Sequence, residues 1–79
     1  MRYPPLNSLR MFESAGRHLN FRVASEELRV THSAVAQQIR ALEQALGVAL
    51  FYRSSRSLSL TDPGKKYLAS IQRALKTIA

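Results

Sequence analysis

The stretch THSAVAQQIRALEQALG, from Thr31 to Gly47, constrains the fold more than any other part of the chain. Val35, Ile39, Leu42 and Leu46 follow one another at spacings of four, three and four, which draws one narrow apolar stripe along a helix of 3.6-residue period. The opposite face carries Ser33, Gln37, Arg40 and Gln44, with Ala34 and Ala41 beside them, and neither a bulky apolar nor an acidic residue. An ordinary solvated face mixes Glu with Lys. A face of small and hydrogen-bonding groups is suited to close approach to a hydrogen-bonding surface, while the stripe needs other elements to cover it.

Those elements have to come from a short chain. Its 79 residues amount to one small domain with no cysteine, so neither a disulfide nor a thiolate metal site supplements the core. A hydrophobic content of 46% must fold the chain by packing alone, which favours short helices. The net charge is +7, and it is unevenly placed. From Gln44 onward Arg53, Arg56, Lys65, Lys66, Arg73 and Lys76 face a single acid, Asp62. A polyanion is the natural partner of such a surface, nucleic acid or an anionic membrane. No apolar run reaches transmembrane length and MRYPPLNS has no signal-peptide core, so the chain reads as cytoplasmic.

In chain order, Pro4 and Pro5 hold the entry extended, Asn7 is an N-cap type, and Leu6 and Met11 have the spacing of a hydrophobic staple. A first helix to about Arg17 turns Leu9, Phe12, Ala15 and Gly16 inward, with His18 as a cap or dipole partner at its C-terminal end. A short second helix begins at Asn20 or Phe21 and ends at Arg29, burying Phe21, Ala24 and Leu28. Val30 lies in a tight turn, Thr31 caps the long helix and Gly47 closes it. Two helices joined in this way are a helix-turn-helix, over about 21–46. From Leu50 the period changes to two. Leu50 to Arg53 and Leu58 to Leu60 are strand-like runs around a polar turn, a hairpin over about 50–60 with Arg53 and Arg56 at its tip. A two-stranded hairpin is not stable alone, so Phe51, Leu58 and Leu60 must pack on the helices. Thr61, Asp62 and Pro63 open a last helix whose Leu68, Ile71, Leu75 and Ile78 fit either a coiled-coil seam or a core-facing stripe. The uncapped end at Ala79 suggests that this helix continues.

Over nearly its whole length the sequence resembles the N-terminal DNA-binding domain of LysR-type transcriptional regulators. The likeness rests on PLNSLRMFESAGRHLNF, on ASEEL with VTHSAV and QQIRALEQALGVALF, on Arg53 and Arg56, and on LT followed by Gly64. PLNSLR with VTHSAV resembles the branch of the glycine-cleavage and β-lactamase regulators. The resemblance implies a mainly α, winged helix-turn-helix fold, three helices and a two-stranded wing over 1–60, then the start of a linker and dimerisation helix over 61–79. It also implies a C-terminal effector-binding domain beyond this chain, where a small-molecule effector binds, and no cofactor in this part. Four positions depart from the family pattern. Arg22 stands where Ser or Thr commonly caps helix two, Ala36 replaces a serine and Gln37 an arginine in the recognition helix. The wing tip has Ser55 and Ser57 in place of glycine, which predicts strain at any residue needing positive φ.

In a helix-turn-helix the N-terminal part of the second helix enters the major groove. His32, Ser33, Ala34, Gln37 and Arg40 are then the expected base readers, and Gln37 above all, because a glutamine amide matches N6 and N7 of adenine. Arg53 and Arg56 are expected on backbone or minor groove, and Arg22, Thr31 and Gln38 on phosphates. Leu68, Ile71, Leu75 and Ile78 are the expected dimerisation residues, forming a homodimer or a higher oligomer in a full-length protein. The two histidines have no carboxylate or thiol at ligand spacing and no phosphate loop exists, so neither a catalytic nor a metal site is expected. The competing reading is a winged helix used only for protein interaction or dimerisation. Membrane-surface binding would leave the polar face of the long helix unexplained.

Overall fold

The computed structural model describes residues 6–78, and the side chain of Ile78 lies outside that description. Four helices and one hairpin follow in order: α1 Leu6–His18, α2 Phe21–Leu28, α3 His32–Leu46, β1 Phe51–Arg53, β2 Leu58–Leu60 and α4 Asp62–Ile78. The helix-turn-helix, the wing and the final helix thus lie close to where periodicity put them.

The start of α1 differs. Asn7 is already helical and exposed and Leu6 is 52% exposed, so neither the cap nor the staple forms as expected. Pro4 and Pro5 lie outside the described residues. Ser8, also a residue of capping type, is buried and donates its hydroxyl to Oε1 of Gln38 on α3. For α2 the cap is Asn20, whose side chain accepts from Val23 N at 3.0 Å. The substitution at Arg22 therefore removes no cap, because the cap sits two residues earlier. Arg29 ends α2 in the left-handed region at φ 58°. Thr31 caps α3, accepting from Ala34 N at 3.0 Å, and Gly47 closes it at φ 74°. Thr31→Ala is expected to lower stability by about 1 kcal/mol, read as a shift of the urea midpoint.

Phe12, Ala15, Ala24, Val35, Ile39, Leu42, Leu50, Phe51 and Ile71 form the buried cluster, so every element except β2 supplies a wall. Phe51 is the plug that fixes the wing: its ring meets Phe12 at 5.6 Å and Phe21 at 5.5 Å, both edge-on, a favoured aromatic geometry. The strands pair antiparallel with Phe51 opposite Leu60, Tyr52 opposite Ser59 and Arg53 opposite Leu58.

The wing tip is closed by serines instead of glycine. Ser54 N donates to Ser57 O at 3.0 Å, Ser57 N donates to Ser54 Oγ at 3.1 Å, and the two hydroxyls lie 2.8 Å apart. Among the described residues the only non-glycine positions with positive φ are Leu19 and Arg29, so the strain expected at Ser55 and Ser57 is absent. A turn closed by side-chain hydroxyls does not require a left-handed residue.

A polar cluster joins α1, α2 and α4. Arg17 Nε donates to Glu13 at 3.0 Å and its Nη2 to Glu27 at 2.7 Å, and Gln72 of α4 donates to Glu13 at 3.2 Å. His18, the last residue of α1, adds its Nε2 at 3.5 Å from Glu27. Hydrogen bonds from Arg17 and then from Ser14 hold the Glu27 carboxyl down at about 2, and Arg17 lowers Glu13 as well. A depressed carboxylate stabilises the fold above its unfolded pKa of about 4.3 and loses that effect as pH falls toward its folded value. Wild type is therefore expected to exceed Glu27→Gln in urea midpoint at pH 7, with the gap closing between about pH 4.5 and 2. A gap that stays constant over that range would refute the assignment.

Candidate nucleic-acid interface

The face of α3 away from the core is as bare as its sequence suggests. Val35, Ile39 and Leu42 are buried, but Leu46, expected in the same stripe, is 37% exposed at the helix end; His32, Ser33, Gln37 and Arg40 are exposed and Ala34 and Ala36 half-buried. Ser33, Gln37 and Arg40 stand four and three residues apart and so line up along one side of the helix. His32 sits at the N-terminal end, its ring 6.2 Å from that of Phe21. Beside it a cleft of about 430 Å³ runs between the start of α2 and the hairpin, reached from α3 by His32 and bordered by Asn20, Phe21, Arg53, Ser55 and Arg56 among others. The structure thus brings the wing tip and the start of α3 to one surface.

The expected phosphate ligands differ in how free they are. The Thr31 hydroxyl accepts from Ala34 N, which leaves its own proton to donate. Gln38 accepts from Ser8 through Oε1, so its NH2 group is the part without a partner and its oxygen is already engaged on the α1 side. Arg22 pairs with Glu26 at 3.4 Å, with both side chains largely exposed. Arg56 is exposed and, among the described residues, takes part in no ion pair. Arg53 already has partners inside the protein. Its Nη2 donates to Glu43 Oε1 at 3.1 Å and its guanidinium carbon lies 5.7 Å from the centre of the Phe21 ring.

Glu43 is the residue that sequence reasoning passed over. It lies on α3, its side chain is only 12% exposed, and its other carboxylate oxygen accepts from Leu50 N at 2.7 Å and Phe51 N at 3.2 Å. An acid in the last turn of a helix gives no local signal that its partners are backbone amides at the start of the wing. Nor does periodicity separate the two readings of α4. Ile71 is 7% exposed and belongs to the core, and Leu68 and Leu75 are half-buried against it. These three expected dimerisation residues therefore pack first within their own domain, because α4 lies back on α1. Ile78 lies outside the described side chains.

Among the described residues no group of three His, Cys, Asp or Glu side chains could hold a metal ion, and no helix is long and apolar enough to cross a membrane.

Comparison with known proteins agrees with this architecture. The sequence profile of the bacterial regulatory helix-turn-helix proteins of the lysR family matches residues 6–65. A glycine cleavage system transcriptional activator homolog of Haemophilus influenzae is 52% identical over 77 residues, 98% of this chain and 26% of that protein. A carbapenem-hydrolyzing beta-lactamase transcriptional activator of Enterobacter cloacae is 55% identical over 75 residues, 95% of this chain and 25% of that protein. The chain thus spans about a quarter of the length of these relatives. In the crystal structure of a CbnR_DBD–DNA complex the matching chain superposes with TM-score 0.88 at 31% identity, covering 94% of this chain and 85% of that one. A BenM_DBD/catB site 1 DNA complex gives TM-score 0.90 at 27% identity over 94% and 82%.

Proposed function

The chain belongs to the lysR family of bacterial regulatory helix-turn-helix proteins, and from that membership we propose that it is the operator-binding part of a transcription regulator. It acts by sequence-specific binding to double-stranded DNA rather than by catalysis. The observation that carries this reading is the acid-free exposed row Ser33, Gln37 and Arg40 on α3, set beside a wing whose Arg56 is exposed. The agreement in fold with chains solved on DNA supports it.

In this reading α3 lies in the major groove, with His32, Ser33, Ala34, Gln37 and Arg40 toward base edges. Thr31, Arg22 and the Gln38 amide hold phosphates and fix register, and Arg56 reaches backbone or minor groove. Residues 1–60 are the DNA-binding unit and 61–79 begin a linker helix. Pairing of two copies through α4 remains our reading, with Ile71 removed from the contact set and Leu68 and Leu75 contributing only what their own core leaves free. The effector site lies in the part of the relatives that this chain does not span, and the place of action is the cytoplasm.

The test is selection of bound sequences from a random duplex pool, followed by anisotropy titration of a selected and a scrambled duplex at two salt concentrations. Preference for the selected duplex is expected. Equal affinity for both would refute base reading. Arg56→Gln is expected to make the slope of log K against log salt shallower by roughly 0.9, the value of one phosphate contact. An unchanged slope would remove Arg56 from the interface.

A further inference from the structure

Of the two wing arginines only one is electrostatically free. Arg53 is neutralised at 3.1 Å by Glu43 and lies over the Phe21 ring, although 43% of its side chain remains exposed. Glu43 meanwhile holds the start of the wing through Leu50 N and Phe51 N. One carboxylate on the recognition helix thereby sets both where the wing begins and where its first cation points. The arrangement has a consequence for selectivity. Each Lys or Arg that neutralises a phosphate raises affinity for all duplexes alike, because counterion release is blind to sequence. A cation held by a carboxylate of its own protein is less available for that term.

We propose that Glu43 is a positioning residue that withholds Arg53 from the DNA backbone, so that the wing presents Arg56 alone and binding depends on base reading by α3. This rests on the DNA-binding reading above. The pair offsets part of the charge at the point where wing and recognition helix meet, and limits loose binding without removing the arginine that packs on Phe21.

Glu43→Gln separates the two duties of the carboxylate. The Gln oxygen can still accept from Leu50 N and Phe51 N, whereas the group facing Arg53 changes from acceptor to donor and releases the guanidinium. Titrated against a labelled duplex of scrambled sequence, this variant should show a salt slope steeper by about 0.9 than wild type, together with a lower ratio of selected to scrambled affinity. Adding Arg53→Gln to it should restore the wild-type slope, a return that a purely structural role would not produce. Arg53→Gln alone should leave the slope unchanged, in contrast to Arg56→Gln. A wild-type slope in Glu43→Gln, or a steep slope persisting in the double variant, overturns the proposal. So does a slope shallower by about 0.9 in Arg53→Gln, which would put Arg53 on a phosphate already. Circular dichroism and a thermal melt accompany each variant, and if Glu43→Gln does not fold, the single Arg53→Gln result decides. Wild-type protein with no salt-dependent affinity for any duplex would end the DNA-binding reading itself, and this proposal with it, a result distinct from all of these.

Discussion

Gly64→Ala is expected to lose at least about 3 kcal/mol of stability, more than most surface or cap substitutions. A Cβ built at Gly64 would lie 2.1 Å from the carbonyl oxygen of Leu50, 3.0 Å from its carbonyl carbon and 3.2 Å from Leu60 Cδ2. The first of these is backbone, and it cannot swing aside as a side chain does. The same Leu50 oxygen accepts from Thr61 N at 3.0 Å, while Thr61 Oγ1 donates to Ala49 O at 2.7 Å and accepts from Gly64 N at 3.0 Å. Relieving the overlap therefore means pulling α4 off the root of the wing and exposing buried hydrogen bonds. A chain of this size has a total stability of roughly 4–12 kcal/mol, so a thermal melt should fall by about 12–24 °C or show no folded state. Gly16→Ala is the control. Its added methyl meets Leu68 Cδ2 at 3.1 Å, the far end of a flexible side chain, and a helix-interior alanine recovers up to about 1 kcal/mol of propensity. Equal melting temperatures for the two variants would show that the junction yields more easily than its geometry implies.

The contrast between these glycines marks how far sequence reasoning reaches. The apolar stripe of α3, its cap at Thr31, its stop at Gly47 and the change of period at the wing are local signals, and local physics decides them. The exposed row on α3 was legible for the same reason, since whatever the buried stripe leaves over must face outward. What escaped is long-range. Ser8 donates to Gln38 thirty residues on, a pairing that nothing local to position 8 announces. Glu43 and Arg53 are ten residues apart in different elements, and nothing in either position announces their pairing. The stripe of α4 has one period whether it meets its own α1 or another chain, so only the packing of Ile71 distinguishes the two. Serine closure of the wing was missed because the expectation assumed that a tight tip needs a left-handed residue, whereas hydroxyl-to-backbone bonds supply another way to close it.

Gln37→Ala is expected to weaken binding to a selected duplex by about 1–3 kcal/mol, a factor of roughly 5 to 150, while leaving scrambled DNA nearly unaffected. Neighbouring glutamines on α3 make the assignment specific. Gln38 is half-buried with its carbonyl oxygen bonded to Ser8, so its NH2 group is the part best placed to serve a phosphate. Gln37 is exposed, on the side of the helix shared by Ser33 and Arg40, and its amide presents donor and acceptor together. That pair matches N7 and N6 of adenine, whereas an arginine at the same place would match O6 and N7 of guanine. Gln37→Arg should accordingly move the preference at one base pair from adenine toward guanine, read by repeating the duplex selection. Gln38→Ala should weaken selected and scrambled duplexes together, since a phosphate contact carries no sequence information. If Gln37→Ala instead reduced both affinities equally, the residue would be acting through charge-independent packing or through a phosphate. The reading of sequence would then fall to His32, Ser33 and Arg40, the remaining exposed groups on the first turns of the helix.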